Sequence, residues 1–140
     1  MDGNGFTFKA PASWDETRRD AMITVSPGKD APELVGVSIF RLVKPYKTSL
    51  FPRVVPELNG VAKKLARELG GRVTGARTVT VDGQKGRQYE LAYPLNGDRL
   101  RQTITFVLQD RREYQLICRR VSGKNLGACG RLVRTFRIAD

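Results

Sequence analysis

The feature that most restricts the fold of this chain is a series of four strand-like segments in its second half. They cover residues 72–81, 85–93, 99–108 and 113–121. Their connections are Asp82-Gly83, Asn96-Gly97-Asp98 and Asp110-Arg111-Arg112. Asp-Gly and Asn-Gly are strong hairpin signals because these residues tolerate positive φ. The four segments are therefore predicted to form an antiparallel meander.

One amphipathic helix is predicted before the meander. Apolar residues recur at spacings of three and four between positions 51 and 69, the pattern of a helix with one buried stripe. Ser49 is the expected N-cap, Pro52 suits the first turn, and Gly70-Gly71 ends the helix. Pro56 either kinks this helix or delays its start by a turn.

Shorter segments complete the predicted order. Strands are expected at residues 6–10, 21–26 and 34–43, a short helix at 123–133 and a last strand at 134–139. This order predicts an α+β fold, a twisted antiparallel sheet of about six to seven strands flanked by one long and one short helix. We expect a single domain over residues 1–140. The sequence has neither a βαβ rhythm nor a glycine-rich phosphate loop, which disfavours a nucleotide-binding fold.

The composition excludes several kinds of catalytic site. The chain has 140 residues and no histidine, so it has neither a Cys-His nor a Ser-His-Asp arrangement. Its two cysteines cannot by themselves fill a structural zinc site. Carboxylates are scattered and form no paired motif. We therefore expect no metal, no cofactor and no enzyme activity.

The two cysteines bear on the compartment. Cys118 is predicted on the last meander strand and Cys129 on the short helix that folds back over it. A disulfide between them is the favoured interpretation, and two buried thiols in a cytosolic protein are the alternative. The polar start at Met1 is not a signal peptide, so an exported protein would begin after a removed leader. We predict an extracytoplasmic protein, in the cell envelope or secreted, with a cytoplasmic one as the alternative.

The charge favours an anionic partner. Lys and Arg number 25 against 14 Asp and Glu, a formal net charge of +11. Nucleic acid is an improbable partner, because the basic residues are spread along the chain. An anionic envelope component, a lipid or another protein remain open as partners, and the oligomeric state is left open as well.

Four arginines and one tyrosine are candidates for contact with such a partner. Arg99 and Arg101 alternate with Leu100 and should share one face of a strand. Depending on register, Arg87 and Arg119 join them in a basic stripe that binds phosphate or carboxylate groups. The alternative is a solvated face, with cross-strand pairing of the arginines to glutamates. Tyr46, in the loop predicted before the long helix, is a further contact candidate.

Short motifs spread over nearly the whole chain carry a family resemblance. They are Phe6-x-Phe8-x-x-Pro11-x-x-Trp14, a Val81-Asp82-Gly83 turn leading to Gln88-Tyr89-Glu90-Leu91, Tyr114-Gln115-Leu116, and Thr135-Phe136-Arg137-Ile138. Their order resembles the PsbP-like superfamily, which includes DcrB-like proteins and mycobacterial envelope lipoproteins. The resemblance implies an antiparallel sheet flanked by helices, and it transfers no catalytic set.

Together these observations predict a non-catalytic binding or accessory domain of a secreted or lipid-anchored bacterial protein, acting on an anionic or amphiphilic partner. The alternative is a cytosolic carrier or chaperone module, as in the DcrB-like members.

Overall fold

The computed structural model describes residues 2–3 and 5–139 and confirms the α+β fold class. The strands are β1 (Asp2–Gly3), β2 (Phe6–Thr7), β3 (Asp15–Arg19), β4 (Met22–Ser26), β5 (Leu34–Tyr46), β6 (Arg72–Val81), β7 (Gln84–Leu95), β8 (Asp98–Val121) and β9 (Arg137–Ile138). The helices are α1 (Phe51–Glu68), preceded by a 3-10 turn at Thr48–Leu50, and α2 (Gly127–Thr135).

The main sheet has the strand order β3-β4-β5-β8-β7-β6, and its neighbouring strands pair antiparallel. Strand β8 covers both of the last two predicted strands. The chain reverses its direction within β8 at Asp110, where φ is 52°. Its first part pairs with β7 and its second part with β5. The N–H of Ser122 donates to the carbonyl of Arg99 at 2.8 Å, which brings the two ends of β8 together. The predicted meander is therefore confirmed.

Each face of this sheet carries its own apolar core. Side chains alternate along β8, so that Leu116 and Cys118 belong to one core while Ile117 packs against the other. Helix α1 packs on β7 and β6, and helix α2 on β8 and β5. We call the two sides of the sheet the α1 face and the α2 face.

The two ends of the described chain meet in a second, small sheet of order β1-β2-β9. The last strand, predicted at 134–139, is only two residues long and pairs with β2. The strand predicted at residues 6–10 is likewise shorter, because β2 ends at Thr7. The rings of Phe6, Tyr114 and Phe136 pack together behind this sheet and fix it to the α2 face.

Helix α1 starts without the predicted cap. Ser49 lies in the 3-10 turn, and the N-cap is Leu50, which makes no side-chain capping bond. Pro52 occupies the first turn as predicted, and Pro56 lies inside the helix without delaying its start. The helix is followed by Gly70 with a φ of 80°.

Candidate binding groove

The predicted disulfide is present and fixes α2 to the sheet. Cys118 is buried on β8, Cys129 lies in the first turn of α2, and their Cα atoms are 5.4 Å apart. Ala128 and Leu132 of the same helix are buried beside the bond. The disulfide therefore attaches a nine-residue helix that buries few side chains of its own.

The predicted basic stripe does not form, because its arginines lie on both faces of the sheet. Arg101 projects onto the α2 face, where its guanidinium binds Glu90 at 2.8 Å. Arg99 shares its parity on the strand and therefore its face. Arg87 lies on the α1 face, with its guanidinium 5.5 Å from the ring centre of buried Tyr89. Because Tyr89 and Glu90 are adjacent in β7, Arg87 and Arg101 must point in opposite directions.

The fourth arginine is held by the backbone. The Nε of Arg119 donates to the carbonyl of Pro32 at 2.7 Å. It also lies near buried Tyr93 on the α1 face, so Arg119 cannot join Arg101 either. The prediction of one shared arginine face is wrong. A strand's own alternation is readable from sequence, but the register between strands is not.

Glu90 is the centre of the polar cluster that includes Arg101. Its carboxylate accepts from Arg101 at 2.8 Å, from Arg120 at 3.2 Å and from the Thr74 hydroxyl at 2.9 Å. Partial burial disfavours the ionised carboxylate, but the bonds from Thr74 and Arg101 and the charges of Arg101 and Arg120 outweigh it. The pKa of Glu90 is consequently lower than its ordinary value of 4.5.

Glu90→Gln should make the protein less sensitive to acid. A depressed pKa in the folded state gives stability that is full above the unfolded pKa and is lost as pH falls through the folded one. The wild type should therefore lose more of its free energy of unfolding between about pH 6 and about pH 3 than the variant does. Urea unfolding at both pH values measures this, with exposed Glu57→Gln as control. Equal losses in wild type and Glu90→Gln would contradict the assignment.

Tyr46 is not the loop residue that the sequence predicted. Strand β5 continues to this residue, and Tyr46 is only 9 % exposed within the core on the α1 face. Burial raises the pKa of its hydroxyl above the ordinary value. Its ring is part of a packed wall, so Tyr46 does not stand exposed in a loop as predicted.

That wall belongs to an open groove of about 600 Å³ between the first half of α1 and the end of β5. On the helix side lie Val54, Leu58 and Val61, members of the predicted apolar stripe. Leu108 is the buried residue that β8 contributes. Across the groove from the helix lies Val43, whose side chain is 92 % exposed. On the helix itself, Val61 is 42 % exposed. We call this cavity the α1 groove.

Charged side chains surround the apolar surface of the α1 groove. Lys44, Arg53 and Glu57 are exposed, and Glu113 is partly buried. The buried lining consists of hydrocarbon and one tyrosine, with charges at the edge. The sequence contains one sign that the strand is irregular near Val43. This sign is Pro45, since proline inside a strand marks an edge or a bulge.

Among the residues that the structure describes, no helix is long and apolar enough to cross a membrane. Within the same part of the chain, no three His, Cys, Asp or Glu side chains are grouped so that they could hold a metal ion.

Several solved structures are similar to this fold, and two of them illustrate the similarity. A crystal structure of a protein from Bacteroides thetaiotaomicron matches with a TM-score of 0.70 and 10% sequence identity, over 96% of this chain and 45% of that one. This chain thus spans less than half of the Bacteroides protein. LpqN, described as involved in cell envelope biogenesis of Mycobacterium tuberculosis, matches with a TM-score of 0.58 and 12% identity, over 100% of this chain and 87% of that one.

By sequence, no protein-family model and no curated protein matches the chain. The similarity to LpqN and to the Bacteroides structure is therefore one of fold. It is consistent with the fold that the PsbP-like resemblance implies, whereas membership of that superfamily stays a prediction. The chain shares its architecture with a mycobacterial protein involved in cell envelope biogenesis.

Proposed function

We propose that this chain is a non-catalytic binding domain of the cell envelope that holds the apolar part of an amphiphilic partner in the α1 groove. The observation that carries this proposal is the groove itself. Its volume of about 600 Å³ falls in the range of small-molecule sites, roughly 300–1,000 Å³. Its exposed Val43 and Val61 would gain by leaving water when a hydrocarbon chain binds.

The distribution of polar groups supports binding rather than catalysis. Leu58 and Leu108 are buried, while Lys44, Arg53 and Glu57 lie exposed at the edge. Such an edge can contact a polar headgroup while the groove takes the chain. An active site would instead bring titratable groups together around a reacting atom.

Two observations support a location outside the cytoplasm. Disulfides persist in oxidising compartments and are rare in the cytosol, and Cys118 and Cys129 form one here. The fold similarity to LpqN, a protein of cell envelope biogenesis, agrees with this compartment. The rival proposal, a cytosolic carrier module, would require the two cysteines to be reduced in the cell.

Filling the groove should weaken the binding of an acyl chain. We expect Val61→Trp to weaken the binding of a dansyl-labelled fatty acid at least about tenfold, because the indole occupies the space that the chain needs. Stability should change little, since Val61 is 42 % exposed. Fluorescence titration of the full chain measures the affinity.

Leu69→Trp is the matched control, because Leu69 follows the other end of α1, is 39 % exposed and does not line the groove. Its affinity should equal that of the wild type. Equal binding by wild type and Val61→Trp would refute the groove as the site, and so would no binding by either.

A further inference from the structure

One end of the main sheet carries an irregularity in β5. Pairing with β8 runs to Arg41 opposite Arg112, then stops, and resumes only with Tyr46 opposite Asp110. Residues 42–45 therefore leave the ladder as a bulge, next to the turn at Asp110. The guanidinium of Arg111 donates to the carbonyl of Val43 at 3.0 Å and ties the bulge to that turn. We call the bulge, Arg41 and the turn residues 110–112 together the sheet tip.

The sheet tip presents an aliphatic side chain to water. Val43 is 92 % exposed, the highest value among the large apolar residues exposed in the described chain. Pro45 beside it is also exposed.

Four cations belong to the sheet tip and flank Val43 from both sides of the sheet. Arg41 and Arg112 line a cavity on the α2 face, whereas Lys44 lies beside Val43 at the α1 groove. Arg41, Lys44, Arg111 and Arg112 are all exposed, and Asp110 is the acidic residue of the tip. Glu113 follows on the α1 face, where its carboxylate accepts from Gln115. Within the described ranges 2–3 and 5–139, no salt bridge joins any of the four cations to a carboxylate, although Arg101 and Arg120 on the same sheet are paired.

Two of these cations are placed close together. Arg41 and Arg112 are direct cross-strand partners, and like charges in that position repel. Both line an open cavity of about 530 Å³, together with Arg111, Tyr114 and the carboxylate of Asp110. Guanidinium groups bind phosphate oxygens with matching geometry. The cavity has room for a phosphate group.

We propose that the sheet tip docks this domain onto an anionic lipid bilayer. Val43 enters the interface between headgroups and acyl chains, while Arg41, Lys44, Arg111 and Arg112 bind the lipid phosphates. The combination of an exposed aliphatic side chain and flanking cations fits a bilayer better than a nucleic acid, which offers charge without an apolar layer. This inference goes beyond the proposed function, because the bilayer contact needs no ligand in the α1 groove.

Co-sedimentation of the full chain with vesicles tests the proposal. Wild type should sediment with phosphatidylcholine vesicles that contain phosphatidylglycerol and stay in solution with phosphatidylcholine alone. Each cation near an anionic surface contributes about 1 kcal/mol, equivalent to about fivefold in partition. Arg41→Ser/Arg112→Ser should therefore lower the partition coefficient at least about tenfold.

The control for total charge is Lys63→Ser/Lys64→Ser, which removes two exposed cations from α1. It should lower partition less than twofold. Equal losses in the two double variants would overturn the tip as the docking site, since net charge alone would then explain binding. Thermal melting checks that both variants are folded.

Two substitutions of Val43 test the apolar contact. Val43→Ser should weaken partition a few-fold and Val43→Trp should strengthen it, because tryptophan favours the membrane interface. If neither changes partition, or if single-stranded DNA binds the wild type as tightly as the anionic vesicles do, bilayer docking is refuted. Val61→Trp should bind vesicles like the wild type, so that failure of the groove and failure of the tip are separate results.

Discussion

Phe136→Ala should lower the free energy of unfolding by about 3–5 kcal/mol, the usual cost of emptying a phenylalanine site in a core. Phe136 is fully buried, and its ring centre lies 6.0 Å from that of Phe6 and 5.5 Å from that of Tyr114. These rings join three parts of the fold: the end of α2, the small terminal sheet and strand β8. Removing one of them leaves a cavity at the place where all three meet.

Urea unfolding followed by circular dichroism measures this change. Phe136→Leu keeps most of the volume and should lose about 1 kcal/mol, which keeps the comparison possible if the alanine variant is too unstable. Phe40→Ala is the control, because Phe40 is 49 % exposed on β5 and should cost less than about 1 kcal/mol. An equal loss at positions 40 and 136 would show that this aromatic cluster does not hold the ends of the chain.

Removing the disulfide is the second large change. Cys118→Ala/Cys129→Ala should lose about 3 kcal/mol, because a bond that spans about 11 residues restricts the unfolded chain by that amount. Helix α2 should unfold locally before the rest of the domain, since the bond attaches its first turn to β8. Amide hydrogen exchange should therefore rise in α2 before it rises in the meander.

Reduction of the wild type provides a matched experiment. A reducing agent should lower the urea midpoint of the wild type and leave that of the double alanine variant unchanged. Mass spectrometry without reductant, on protein taken from its native compartment, should find the chain two hydrogen atoms lighter than its reduced form. Two free thiols in that sample would instead favour the cytosolic carrier.

The meander was predictable because its turns have local chemical signals. Asp82, Asn96 and Asp110 all adopt positive φ, with values of 50°, 52° and 52°. The long helix was predictable from its apolar stripe. Strand β3 had no such signal: the five residues from Asp15 to Arg19 are all exposed and polar, so no alternation marks them.

The site was less predictable because it depends on relations between elements. Arg87 and Arg101 could be placed on their strands, but only the pairing of β7 with β8 shows that they face opposite sides. Tyr46 follows Pro45, which indicated a loop. The bulge instead returns Tyr46 to the ladder and buries its ring. The α1 groove depends on which part of the sheet α1 covers, and no local pattern carries that information.

The measurement that tests the central claim most directly is a titration of the full chain with decanoate, followed by NMR of leucine and valine methyl groups. Our account predicts shifts confined to the α1 groove, at Leu50, Val54, Val61 and Leu108. Methyl groups of the opposite core, such as Val107 and Leu116, should stay unchanged. Largest shifts on the α2 face, or no shifts at all up to saturating decanoate, would contradict a binding function for the groove.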